Sequence, residues 1–466
     1  MKKKYTSLLK NIGLFTIGNF GSKIVSFLMI PLYTAILSTN DYGTVDLLNS
    51  TAQLLIPIFL LSIQDATLRF GMDQNYKKED VISTTINIVI KGTITFLFVM
   101  IIIYFSNIIK LSIVYWIFLF FTFLLYSLNN CLNLYLKAEN KAYIIAIGGI
   151  LCTIITCTSN IICLIVLKLG INGYMISNLI GILFQVLFQF IFGKIYKDIH
   201  LKKYNDLSKP MIGYSSPLIT NSIAWWVNNT SDRYILTWMH GTAINGIYAV
   251  AYKIPTILTT FQSIFYNAWS ISAISEFNRK DEDGFIGNSY TVYSLLSIIV
   301  CSLILLFNIP IGNILYSADY FVAWQYVPFL MVSTVFNGIA QFEGSLFAAT
   351  KKTNQVSITT FIGATINIMG NFILIYKFGA IGAALSTMIG YGVTWILRTI
   401  FLQRFITMKV NWKLHICIII LLIIQSILAT INIIYFMQII IFVLIIALNY
   451  KYISNVLQKI AKTIKW

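Results

Sequence analysis

The chain has 466 residues, of which 58% are hydrophobic and only 11% charged, with a mean hydropathy of +0.80. Soluble globular proteins carry about 25% charged residues, so the polar surface that a water-soluble fold of this size needs is missing. The net charge of +17 is spread over many loops rather than gathered in one basic stripe, so no nucleic-acid partner is expected.

Apolar runs of about 20 residues, each enough to cross a ~30 Å hydrocarbon core, recur from end to end. They predict an all-α, polytopic membrane protein of about fourteen transmembrane helices. The first six predicted spans are 12–36, 45–67, 82–106, 112–136, 143–167 and 171–193. The next six are 214–238, 244–271, 290–312, 324–349, 356–376 and 380–402, and a final pair covers 414–432 and 433–450. Lys2-Lys3-Lys4 leads into a full-length span with no small-residue cleavage site, so the first helix is expected to stay in the mature protein.

Every second loop is basic. The N-terminal segment holds Lys2, Lys3, Lys4 and Lys10, and the loops on the same side add, among others, Arg69, Lys77, Lys78, Lys137, Lys141, Arg279, Lys280, Arg404 and Lys409. With the tail this makes 25 basic residues on one side, against Lys110, Lys168 and Lys377 on the other. The positive-inside rule then puts both termini in the cytoplasm, with anionic membrane lipids beside the basic loops. The six cysteines all fall inside spans and the three histidines are scattered, so neither disulfides nor a metal site is expected. Gly193-Lys194 is followed by Ile195, so there is no phosphate-binding P-loop, and no cofactor is expected.

The chain repeats itself weakly. Tyr42-Gly43 and Asn245-Gly246-Ile247-Tyr248 open spans 2 and 8 in the same way, with the glycines 203 residues apart. Lys168-Leu169-Gly170-Ile171-Asn172-Gly173 is matched by Lys377-Phe378-Gly379-Ala380-Ile381-Gly382 at an interval of 209, and Gly181 and Gly390 keep that register. Six spans per period give two parallel repeats, which form two lobes around a central cleft. The expected divisions are an N-lobe at 1–200, a C-lobe at 201–405 and an appended helix pair with a tail at 406–466. Pro31 and Pro57 in spans 1 and 2, with Pro217 and Pro255 in spans 7 and 8, are either gates or static kinks.

Charged residues inside spans carry the most information. They are Lys23, Asp46, Lys91, Asp232, Arg233, Lys253 and Glu343, and each costs roughly 2.5–3.5 kcal/mol at mid-bilayer unless it faces protein or water. Thr16, Asn19, Lys23 and Ser26 share one helix face, as do Thr84, Asn87, Lys91 and Thr95, and as do Asn221, Trp225, Asn228 and Asp232. The surplus of Lys23, Lys91, Arg233 and Lys253 favours an anionic, phosphate-bearing cargo, and Trp225, Trp226, Tyr248 and Tyr252 offer rings to stack on sugars. Each residue also has a plainer reading. Asp46 or Asp232 neutralises a neighbouring cation, the aromatics pack the protein, and Glu343 is either a Na+ or H+ coupling site or a counter-charge. Asp65 and Arg398 lie near span ends and are expected to snorkel to the cytoplasmic surface.

The segments Asp232-Arg233-Tyr234-Ile235-Leu236 and Gly246-Ile247-Tyr248-Ala249-Val250-Ala251-Tyr252-Lys253-Ile254, with Asp41-Tyr42-Gly43 in the first half, resemble the bacterial polysaccharide transport family. That family includes the O-antigen and capsule repeat-unit flippases, and shares a superfamily with the lipid II flippase and the multidrug and toxic compound extruders. The resemblance spans helices 1–12. It implies outward transport of an undecaprenyl-pyrophosphate-linked glycan by alternating access, in a pathway with glycosyltransferases and a polymerase. It also implies that Lys23 and Lys253 stand where family lumen cations serve transport, with lysine where arginine is frequent. Ion coupling and the membrane potential alone both remain open as the drive. A polysaccharide polymerase or ligase is disfavoured because the longest outer loop, about 313–323, holds only Asp319 as an ionisable group. A cation-coupled multidrug exporter would favour an acidic lumen and lack spans 13 and 14.

Overall fold

The computed structural model describes residues 27–200, 205–275, 277–350, 352–432 and 435–450. The described residues are helical throughout. In chain order the helices are α1 (Ile30–Ile36), α2 (Thr39–Phe59), α3 (Ile63–Gly71), α4 (Lys78–Ser106), α5 (Ile113–Ala138), α6 (Ala142–Asn160) and α7 (Gly170–Phe192). They continue as α8 (Asn205–Ser215), α9 (Leu218–His240), α10 (Thr242–Ala251), α11 (Pro255–Ser275), α12 (Phe285–Leu306) and α13 (Asn308–Leu315). The last are α14 (Val327–Ala349), α15 (Thr353–Leu402), α16 (Trp412–Ile431) and α17 (Tyr435–Leu448). Among the described residues seven helices are long and apolar enough to cross a membrane, or up to nine if the two bent pairs, Thr39–Phe59 with Ile63–Gly71 and Ala318–Gln325 with Val327–Ala349, count as one span each. The protein is therefore an all-α, multi-span membrane protein.

Two compact units divide the chain, residues 24–234 and residues 235 onward. Each is built around its fourth span. In the first unit α5 packs against α2, α3, α4 and α7. In the second, α14 packs against α11, α12, α15 and α16 and is buried on nearly every side. Lipid tails are as apolar as leucine, so helices here are held by close packing of small residues and by hydrogen bonds rather than by exclusion of water. The sequence repeat has a physical counterpart in that packing. Gly170 has φ +54° and Gly379, 209 positions later, has φ +58°. Both take a left-handed conformation that a side chain disfavours, and in α15 this breaks one long helix into the two predicted spans. Gly173 and Gly382 follow at close approaches, where a methyl group would meet Cys163 O at 3.0 Å and the Leu374 carbonyl respectively. At Gly181 an added methyl would strike Thr156 Oγ1, and at Gly390 it would lie 2.8 Å from Asn367 Cβ.

The Asp41-Tyr42-Gly43 motif is a helix start. Ser38 caps α2 by accepting from the Asp41 N–H at 3.1 Å and donates to the Asp41 carboxylate at 2.7 Å. The four singled-out prolines all sit at helix edges or breaks. Pro31 lies in the first turn of α1, Pro57 three residues before the break at Leu60–Ser62, Pro217 just ahead of α9, and Pro255 at the start of α11. At the Pro57 break Leu61 and Ser62 are left-handed, and α2 and α3 meet at 59°.

The lysine-rich side is laced in each unit. In the first, burial alone would push the Glu139 carboxyl up, but hydrogen bonds from Lys78 at 2.6 Å and Lys141 at 3.3 Å outweigh it and hold the group below the usual carboxylate range. In the second, the fully buried Asp281 carboxylate accepts the backbone N–H groups of Ile286 (2.9 Å), Gly287 (2.9 Å) and Lys409 (3.1 Å). Arg279 O accepts from Thr407 N at 3.0 Å and Arg279 Nε donates to Phe405 O at 3.1 Å, so the loop before α12 clasps the loop before α16. Asp281→Ala orphans three backbone donors, a loss of at least about 3 kcal/mol locally. Limited trypsin digestion should then cut after Arg404 and Lys409 at least tenfold faster, and an unchanged digest would contradict the clasp.

Candidate functional site

The polar face of the first unit is a seam between α2 and α9. Arg233 Nη1 donates to both oxygens of Asp46, at 2.6 and 2.8 Å, and each side chain is 19% exposed. One turn further along α2, Trp226 Nε1 donates to Ser50 O at 2.8 Å. Between these points Tyr234 shares a hydrogen bond with Thr51 at 2.6 Å and donates to Leu47 O at 3.3 Å, with its ring 5.2 Å from that of Trp226. Asp232 is 3% exposed, and its Oδ1 accepts the Arg233 N–H at 2.9 Å. Asp46 therefore neutralises Arg233, one of the two readings its sequence position allowed. The partners are 187 residues apart in the chain, so sequence alone does not pair them.

Below the charged pair, toward the Pro57 break, α2, α3, α5 and α9 border a half-open cavity of about 280 Å³. Trp225 and Trp226 line it, Trp225 being 61% exposed, together with Ile56, Pro57 and the polar side chains of Gln53, Gln64 and Asn130. The three amides escape a sequence search directed at charge. The signal that could find Gln53 and Gln64 is their position on either side of Pro57 in an apolar segment, and Asn130 carries no such signal.

The remaining expected site residues lie elsewhere. Lys23 and its stripe Thr16, Asn19 and Ser26 fall outside the described residues. Lys91 stands on the exposed face of α4, in line with exposed Asn87 and Thr95, and has no ion-pair partner among the described residues. Lys253 belongs to the second unit, half-buried in the three-residue break between α10 and α11, and it too has no ion-pair partner among the described residues. Tyr248 is fully buried, with its ring 5.1 Å from that of Tyr252 and 6.2 Å from that of Tyr326, so it packs the unit.

Glu343 is fully buried in α14 and accepts from Thr399 Oγ1 at 2.7 Å. The expected snorkelling of Arg398 is wrong. This side chain is 7% exposed and bonds to Ala340 O (2.6 Å), Thr359 Oγ1 (3.1 Å) and Thr360 Oγ1 (2.8 Å), with its guanidinium 3.3 Å from where a side chain on Gly344 would begin. The Ala340 carbonyl and the two threonine hydroxyls offset the desolvation of the buried guanidinium. The polar core extends to α12 and α16, where Trp395 Nε1 donates to Tyr290 OH at 3.1 Å and Tyr290 meets His415 Nε2 at 3.4 Å.

Comparison with known proteins agrees with this architecture. The fold is that seen in the lipid II flippase MurJ and in MATE family transporters. The structure resembles the lipid II flippase MurJ in an inward closed conformation, with a TM-score of 0.69 at 16% identity over 95% of this chain and 99% of that one. It also resembles a multidrug resistance MATE family transporter of the MOP superfamily in an inward-facing conformation, with a TM-score of 0.67 at 12% identity over 82% of this chain and 94% of that one. Residues 8–276 match the family described as polysaccharide biosynthesis protein, and the chain belongs to that family. Among curated relatives it is 23% identical over 210 residues to the probable low-salt glycan biosynthesis flippase Agl15 of Haloferax volcanii. It is 27% identical over 226 residues to the uncharacterized membrane protein MJ1068 of Methanocaldococcus jannaschii. These matches span 44% and 45% of the relatives' own lengths.

Proposed function

We propose that this protein moves a lipid-pyrophosphate-linked oligosaccharide from the cytoplasmic to the outer leaflet of a bacterial cytoplasmic membrane. Transport proceeds by alternating access of two six-helix lobes, with both termini in the cytoplasm. The observation that carries this reading is the charge balance of the embedded polar groups. Asp46 pairs with Arg233 and Glu343 accepts from Thr399, whereas Lys91 and Lys253 have no ion-pair partner among the described residues. Cations kept inside membrane spans without a protein counter-ion suit a pyrophosphate that arrives and leaves. The family match over residues 8–276 and the name of the haloarchaeal relative support a glycan cargo.

Moving two negative charges outward down a potential of 100 mV, inside negative, releases roughly 4–5 kcal/mol. The potential can thus drive export with Glu343 serving as a counter-charge. The prolines at the breaks of spans 2 and 8 would bend as gates. A multidrug exporter reading needs an accessible carboxylate for cationic cargo, whereas Asp46 is engaged and Glu343 is fully buried. Lys91→Ala and Lys253→Ala orphan no counter-ion, so each variant should reach wild-type levels in the membrane. Each should also export lipid-linked glycan at least tenfold more slowly, measured as surface glycan in a deletion strain. Normal surface glycan in both variants would sink the proposal.

A further inference from the structure

The helix α9 is unusually polar for its length. It runs 23 residues, enough to cross a bilayer, yet it is not among the seven apolar spans. Asn221 and Trp225 are exposed along it, and Asn228 and Asn229 are half-buried. Among the described residues no helix packs closely along α9 as α5 packs along α2. Its two ends belong to different units, because the division falls between Tyr234 and Ile235, inside the helix.

The last turn is tied into the second unit. Leu236 is fully buried, and His240 Nε2 donates to Ile375 O at 3.1 Å. Gly241, at φ +87°, ends the helix, and α10 follows at once with residues 245–251 all buried. The earlier part of α9 is held to the first unit by side chains that reach across to α2. Arg233 bonds to Asp46, Trp226 to Ser50 O, and Tyr234 to Thr51 and to Leu47 O. Past Ser50 the two helices border the half-open cavity, with Gln53 and Pro57 on one wall and Asn221 and Trp225 on the other. The pair is thus bonded at one end and apart at the other.

The chemistry of the seam allows it to part. Ser50 O and Leu47 O lie inside α2, where each carbonyl serves the helix and has a second lone pair to spare. Losing a side-chain donor therefore strands neither acceptor. Thr51 keeps its own bond to Leu47 O at 2.8 Å. Asp46 and Arg233 are each 19% exposed, so water reaches both once they separate. The polar core of the second unit is the opposite case, since Glu343 and Tyr290 are fully buried and any parting would strand them.

Building on the function proposed above, we infer that α9 is a movable strap, anchored in the second unit by its last turn and latched to α2 by the seam. The latch holds while the cleft is closed on the Asp46 side. In the orientation proposed above that side is the outer one, because α3 leads from the Pro57 end to the basic loop at Arg69, Lys77 and Lys78. When the cleft opens outward the latch parts, and α9 moves with the second unit.

The test uses the full chain in lipid nanodiscs, with its six native cysteines replaced by alanine. Nitroxide labels go on cysteines at exposed Asn40, in the first turn of α2, and at Trp238, 75% exposed, in the last turn of α9. Double electron–electron resonance should give two distance populations. Asp46→Asn with Arg233→Ala should raise the ratio of the longer to the shorter at least about threefold. Thr51→Val with Tyr234→Phe, which keeps the charged pair, should move the ratio the same way and serves if the charge variant fails to fold. A single population that neither variant moves makes α9 a fixed part of the first unit and overturns the strap. In a second arm, Thr51→Cys with Tyr234→Cys is bridged by a bis-methanethiosulfonate reagent in a deletion strain whose surface glycan the unbridged chain restores. The bridge should stop the appearance of new surface glycan and reduction should restart it, whereas undiminished glycan overturns the strap. A deletion strain with unchanged surface glycan overturns the flippase reading instead, and the resonance arm then decides the strap alone.

Discussion

Replacing Arg233 by alanine is expected to lower both the amount of folded protein and its transport, and adding Asp46→Asn is expected to restore only the first. Arg233 Nη1 holds both oxygens of Asp46 within 2.8 Å, so the single variant strands a carboxylate inside a membrane span. Removing one partner of a fully buried pair costs about 3–5 kcal/mol. Each partner here is 19% exposed, so the penalty falls below that range but still reduces the yield of monodisperse protein. Asp46→Asn removes the stranded charge, and extraction in mild detergent followed by size-exclusion chromatography should show the yield recover. Transport should stay at least tenfold down, because the seam between α2 and α9 has lost its electrostatic link. A double variant that transports at the wild-type rate would reduce the pair to a structural bolt.

The two equivalent glycines of the repeat should differ sharply when each is changed to alanine. At Gly382 the added methyl runs into the carbonyl of Leu374, a backbone atom that cannot turn aside. At Gly173 it meets Cys163 Cβ and O at 3.0 Å, which a shift of a few tenths of an ångström relieves. Overpacking commonly costs about 1–3 kcal/mol, and Gly382→Ala should reach or exceed the top of that range while Gly173→Ala stays near the bottom. Thermal unfolding of the purified variants in one detergent gives the comparison directly. Equal midpoints would mean that the hairpin of α15 is looser than its geometry indicates.

Much of the architecture was legible because a bilayer imposes a length and a polarity on every segment that crosses it. The predicted span 112–136 is α5 at Ile113–Ala138, and 171–193 is α7 at Gly170–Phe192. The glycine register was legible for the same kind of reason, since Gly170 and Gly379 each occupy a backbone conformation that side chains resist. Side-chain partners were not. Asp46 and Arg233 are joined only by folding, and Arg398 was misplaced because distance from a span end says nothing about the carbonyl and hydroxyls of Ala340, Thr359 and Thr360 that receive it. The amides beside the Pro57 cavity lacked charge, the one property that makes a residue conspicuous in an apolar run. Tyr248 was conspicuous for its position in a motif, yet it is a core ring.

The polar core around Tyr290 bears on how the protein is made. Tyr290 and Trp395 meet His415 of α16, and Ser302 of α12 pairs with Gln425 at 2.5 Å while its carbonyl accepts from the same amide at 3.0 Å. During synthesis α12 enters the bilayer more than a hundred residues before α16 leaves the ribosome, so its serine and tyrosine wait in lipid without these partners. The second unit therefore closes late, only once α16 has been inserted. Nascent chains stalled before that point hold the Tyr290 and Ser302 hydroxyls in the membrane without the side chains of His415 and Gln425.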